Sequence, residues 1–132
     1  MTRKEIDDII TAEILSADGF INIDENDVRA VRESSDFIDA NASFAAESGP
    51  IDARLNEMLD ELTSGHKDAS LSSLLFVVKL NQDRSLNMSS FSGINSVLAT
   101  TGDIDIKWGI STDDNIPYGN YRIIIIAGFK DK

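Results

Sequence analysis

The first third of the chain carries apolar residues at helical spacing. Ile6 and Ile10 lie on one face of an amphipathic helix that we predict over residues 3–17. Val28 and Val31 predict a second, short helix that ends near Glu33, so residues 19–24 are expected to form the connecting loop. A short acidic helix is marginal alone in water, and its apolar face must therefore pack on the rest of the chain.

The remaining chain alternates between strand and helix patterns. The predicted elements are a weak strand at 37–44, a helix from Pro50 to near Gly65, a strand at 74–80, a helix from Ser89 to Gly102, and strands at 104–108 and 121–127. Turn-forming residues at 113–119 join the last two strands, which we expect to form a hairpin. This order predicts an α+β domain, in which two helices pack on one face of a mixed four-stranded sheet. The N-terminal helix, the loop and the short helix precede it.

Length and composition restrict the class of protein. With 132 residues and 42% hydrophobic residues, the chain is expected to form one domain with a sizeable core. The sequence contains no run of 18 apolar residues that would predict a membrane span, and its charged N-terminus is unlike a signal peptide. The sequence lacks cysteine, which excludes disulfides and thiolate metal sites. A net charge of −11 argues against nucleic acid and anionic membranes as partners, and a cytoplasmic location is expected.

Candidate chemistry is concentrated in the acid-rich stretch at 19–28. A local structural interpretation is available for it: Asp24 precedes the second helix as an N-cap, and Asp27 three residues later completes a capping box with Asp in place of Glu. The stretch also aligns with an EF-hand calcium loop that starts at Ile14 and ends at Glu25. Isoleucine has no oxygen to offer at the first ligand position, so calcium binding is the third hypothesis.

The same stretch resembles a loop of the bacterial tubulin homologue FtsZ. Its pattern Gly-x-x-Asn-x-Asp-x-x-Asp is present in full as Gly19, Asn22, Asp24 and Asp27. The order of predicted elements up to Phe129 is also similar to that of the FtsZ C-terminal domain, and it covers most of the chain. The sequence departs from the family at Glu25, where an aromatic residue is usual.

The resemblance implies a division of the chain and a function. Residues 1–18 would correspond to the end of the central helix of FtsZ, and residues 19–132 to its C-terminal domain. In this family the loop acts in trans, at the GTP site of the next subunit of a filament, so the resemblance implies that Asn22, Asp24 and Asp27 supply half of a GTPase site. The partner would be an FtsZ-type GTPase subunit or a second copy of the chain.

The chain has no nucleotide-binding loop of its own. It contains eight glycines, and no two of them are adjacent, whereas a phosphate-binding loop uses glycines to bring backbone amides close to the phosphates. We therefore expect no cofactor bound by this chain alone and no enzyme activity on its own, with GTP held by a partner subunit. The alternative hypothesis is a structural or adaptor module with the same fold, which Glu25 favours.

Other polar residues give weaker signals. His66 is the single histidine and has no cysteine or second histidine as co-ligand, so we expect a solvated surface side chain. Ser72 and Ser73 are expected to act as caps, and Trp108 to lie in the core. The face that a nucleotide-binding domain would cover is expected to be apolar, and this favours self-association.

Overall fold

The computed structural model describes residues 2–15, 19–21, 23–46, 51–80, 104–112, 116 and 120–131. Its helices are α1 (Arg3–Ile9), α2 (Glu25–Glu33) and α3 (Ile51–Ser64), and a π-helical segment (Ile10–Leu15) continues α1. Its strands are β1 (Gly19–Ile21), β2 (Phe37–Ala46), β3 (Ala69–Leu80), β4 (Asp105–Thr112) and β5 (Asn120–Asp131). The helix predicted between Ser89 and Gly102 lies outside the described residues.

The four long strands form the predicted mixed sheet. Strand β3 pairs in parallel with β4 and antiparallel with β5, and β5 pairs antiparallel with β2. The sheet order is β1-β4-β3-β5-β2. The α+β class and the mixed four-stranded sheet are confirmed, and β5 is a central strand, as its isoleucine run predicts.

Three expectations about connectivity are wrong. The segment 19–24, expected to be a loop, contains β1, in which Gly19 pairs with Ser111 of β4. The last two strands do not form a hairpin, because β3 lies between β4 and β5. Ser72 and Ser73 lie within β3 and cap no helix: that strand begins at Ala69, five residues before the apolar run.

The two faces of the sheet bury two separate apolar clusters. On one face, α3 packs on β3 and β5 through its apolar stripe, with Leu55 and Met58 fully buried. Trp108 is half-buried and stacks on Phe76 of this cluster, with ring centroids 6.3 Å apart, which agrees with its expected place in the core.

The opposite face carries α1 and α2. Ile6 and Ile10 of the N-terminal helix and Val28 and Val31 of α2 pack on alternate residues of β3, β5 and β2. In its described part, the N-terminal helix therefore buries Ile6 and Ile10 as predicted, although the segment Ile10–Leu15 has π geometry. An ion pair between Arg32 of α2 and Asp7 of α1 links the two helices.

Candidate functional site

The predicted capping box is present at the start of α2. Asp24 is the N-cap residue, with an extended backbone, and its Oδ1 accepts a hydrogen bond from the Asp27 amide at 3.0 Å. Asp27 Oδ2 accepts a hydrogen bond in return from the Asp24 amide, also at 3.0 Å. Each carboxylate thus accepts from an amide at the start of the helix, and the Asp27 amide also donates to the Asp24 carbonyl oxygen at 3.2 Å.

One oxygen of each carboxylate remains outside the box. Within the part of the chain that the structure describes, no hydrogen bond engages Asp24 Oδ2 or Asp27 Oδ1. Asp24 is exposed and Asp27 is half-buried, so both reach the surface. The arrangement presents two fixed, negatively charged hydrogen-bond acceptors side by side.

The chain on both sides of the box is anchored to the domain. Ile23, immediately before Asp24, is only 9% exposed and packs in the cluster under α1 and α2, together with Val28. Val28 thus anchors the chain after the box, and before it β1 is paired with β4, which lies between β1 and β3 in the sheet. The two aspartates are therefore held in place from both directions. Asn22, the third predicted site residue, lies outside the described residues.

The described residues contain no preassembled set of calcium ligands. Among the described residues, no group of three or more histidine or carboxylate side chains is arranged to hold a metal ion. Residues 19–21 of the EF-hand alignment are a strand of the sheet, and Ile14, its first ligand position, lies in the π-helical segment.

His66 differs from the solvated side chain that we expect from the sequence. Its Nε2 lies 2.8 Å from Asp39 Oδ2, and its side chain is 29% exposed. The ring packs against Phe37 and Phe129, with centroids 5.0 and 4.8 Å away. The sequence gives no signal for this pair, because His66 and Asp39 are 27 residues apart and meet only when α3 returns the chain to β2.

A cleft of about 380 Å³ opens where α1, the end of α2 and the start of β2 meet. Its apolar lining comes from Ile6, Phe37 and Ile38. The charged groups around it are Arg3, Asp7, Arg32 and Asp36, two of each sign. The cleft is separate from the capping box, and the sequence analysis does not predict it.

Solved structures of two proteins share this architecture. An FtsZ dimer from M. jannaschii matches 100% of this chain with a TM-score of 0.61 and a sequence identity of 20%. A point mutant of M. jannaschii FtsZ also matches 100% of this chain, with a TM-score of 0.66 and a sequence identity of 17%. The structure of GDP-form protofilaments of TubZ from Bacillus thuringiensis serovar israelensis matches 85% of the chain, with a TM-score of 0.64 and a sequence identity of 14%. The fold is tubulin/FtsZ-like. At this identity the likeness shows the fold alone.

The tubulin/FtsZ-like domain corresponds to only part of those proteins. It spans 45%, 46% and 30% of the three matched chains. No protein-family model matches the sequence, and no curated protein matches it. In the described residues, no helix is long and apolar enough to cross a membrane. The division between residues 18 and 19 stays a prediction.

Proposed function

We propose that this chain takes part in filament assembly of the FtsZ type and presents its acidic loop to the GTP site of a neighbouring GTPase subunit. Asn22, Asp24 and Asp27 are the residues that act at that site. The GTP is bound by the neighbouring subunit, so the chain contributes half of a GTPase site and is no enzyme on its own. Cell division is the process in which FtsZ-type filaments would use it.

The observation that carries the proposal is the capping box on a tubulin/FtsZ-like fold. The box orients Asp24 and Asp27 through two hydrogen bonds of 3.0 Å and leaves one oxygen of each without a partner among the described residues. Hydrolysis of GTP needs a water molecule that is positioned in line with the phosphate and a group that accepts its proton or orients it. Two anchored carboxylate oxygens at the domain surface meet that requirement.

The experiment measures GTP turnover and light scattering of an FtsZ-type GTPase while this chain is titrated in. Asp24→Asn is the decisive variant, because Asn is as good an N-cap as Asp but removes the carboxylate charge. Glu25→Gln is its matched control: it makes the same charge change at the adjacent exposed residue, which takes no part in the box. We expect wild-type chain and Glu25→Gln to change turnover at near-stoichiometric ratios and Asp24→Asn to lose this effect.

The alternative function is a structural or adaptor module that keeps the fold without the catalytic role. The same capping box favours it, since both aspartates already serve α2. Under this alternative, the Asp24→Asn variant and the wild-type chain change the mass of polymer equally. Neither of them changes the rate of GTP turnover per unit mass of polymer. If wild-type chain changes neither quantity, the assembly role is wrong in both forms.

A further inference from the structure

Strand β2 is the outer strand of the described sheet on the side opposite β1. It pairs with β5 along all ten of its residues, from Phe37 opposite Phe129 to Ala46 opposite Asn120. In the described part of the chain, nothing pairs with its other edge. A long edge strand without proline is a template for the addition of a further strand.

The hydrogen bonds around β2 indicate which backbone groups face outward. The Ala40 amide donates to its neighbour's carboxylate oxygen, Asp39 Oδ1, at 2.8 Å, which indicates that it points away from β5. Because backbone groups alternate in direction along an antiparallel strand, Ala42 and Phe44 face outward with Ala40. The Ser43 hydroxyl donates to the Phe44 carbonyl at 3.3 Å. Side chains thus bond two outward groups, and between them no hydrogen bond from the described residues engages the amide or the carbonyl of Ala42.

The side chains on the two faces of this edge differ in character. On the face of α1 and α2, Phe44 is 54% exposed, with the Arg122 guanidinium 4.8 Å from its ring centroid. It is a large apolar side chain at the surface, next to the small Ala42. On the opposite face, α3 brings carboxylates to the edge, since Glu61 Oε2 accepts a hydrogen bond from the Asn41 side chain at 3.0 Å. Glu57, one helical turn before Glu61, is exposed but pairs with Arg54, whose guanidinium also donates to the Ser43 hydroxyl.

We propose that the outer edge of β2 around Ala42 binds an extended peptide segment in which basic and apolar residues alternate. Alternate residues of an added strand point to opposite faces of the sheet. The apolar residues would cover Phe44 on one face, and the basic residues would meet Glu61 on the other. The complementary charge favours a basic partner over a second copy of this chain, whose net charge is −11. This proposal does not depend on the proposed function, because the capping box lies elsewhere in the domain.

The test uses a synthetic hexapeptide in which Lys alternates with Val, labelled for fluorescence anisotropy. A matched peptide in which Glu replaces Lys reports the charge preference. Ala42→Pro is the main variant, because proline removes one outward amide and is tolerated on an edge strand where that amide bonds nothing. Ala42→Val is its control, since it keeps the amide and has high strand propensity. Circular dichroism checks that each variant is folded.

We expect the Lys-Val peptide to bind wild-type chain and Ala42→Val, and Ala42→Pro to weaken binding at least tenfold. Glu61→Gln, a surface change that leaves the fold intact, should weaken binding of the Lys-Val peptide and strengthen that of the Glu-Val peptide. Hydrogen exchange of the Ala42 amide should slow when the Lys-Val peptide is added to wild-type chain. Absence of binding to wild-type chain, equal binding of both peptides, or unchanged exchange at Ala42 would overturn the proposal.

Discussion

Gly128 lies at the most crowded point of the sheet, and its replacement by alanine gives a sharp test of the packing. It pairs with Ile38 of β2 on one side and with Ser73 of β3 on the other. A Cβ atom at this position would lie 2.0 Å from Ser35 Oγ, 2.5 Å from Ser73 Oγ and 3.0 Å from Ser35 Cβ. The two hydroxyl groups can rotate away, but Ser35 Cβ can move only with its backbone.

The cost of Gly128→Ala has two parts. Overpacking of a tightly packed site costs about 1–3 kcal/mol. Rotation of the hydroxyls also breaks the serine network, in which Ser35 Oγ lies 2.9 Å from Ser72 Oγ and 3.3 Å from Ser73 Oγ. Loss of one such hydrogen bond costs about 1 kcal/mol. We expect the free energy of unfolding to fall by about 2–4 kcal/mol, or the melting temperature by about 8–16 °C.

Urea denaturation followed by circular dichroism measures the change in the free energy of unfolding, and two further variants serve as controls. In Gly65→Ala the added Cβ would meet no atom closer than 3.5 Å, so the expected change is below about 1 kcal/mol. Ser35→Gly in the Gly128→Ala background removes both Ser35 atoms from the clash and should restore at least about 1 kcal/mol. If Gly128→Ala unfolds within about 0.5 kcal/mol of wild type, the packing described for this site is wrong.

Three further predictions concern the core, the surface and the calcium hypothesis. Leu55→Ala empties a position that is 0% exposed, so urea denaturation should show a loss of about 2–5 kcal/mol, and a loss below about 1 kcal/mol would contradict its burial under α3. Arg32→Gln breaks an ion pair whose side chains are 36% and 46% exposed, and the same assay should show a change of at most about 1 kcal/mol. Millimolar calcium should leave the melting temperature unchanged, whereas a rise would support the third hypothesis.

Much of the fold follows from local patterns in the sequence. The capping box at Asp24 and Asp27 forms as predicted because both partners lie within one helical turn, where the chain can satisfy its own amides. The apolar run before Leu80 and the isoleucine run at 123–126 predict the two central strands, because strands buried between layers need apolar side chains on both faces. These features depend on residues that are close together in the chain.

Other features depend on pairings that no local pattern encodes. Strand β1 has three residues and exists through its pairing with β4, about ninety residues later in the chain. The contact of His66 with Asp39 requires α3 to place a loop beside an edge strand, and the close approach at Gly128 requires β3, β5 and the turn after α2 to meet. The sequence by itself determined α1, α2 and α3, the capping box of α2 and the apolar strands, because these are set by neighbouring residues. Only the tertiary structure decided the strand order, which strand edge is left without a partner in the described sheet, and which side chains surround the polar residues of β2. These features arise where segments that are distant in the chain meet.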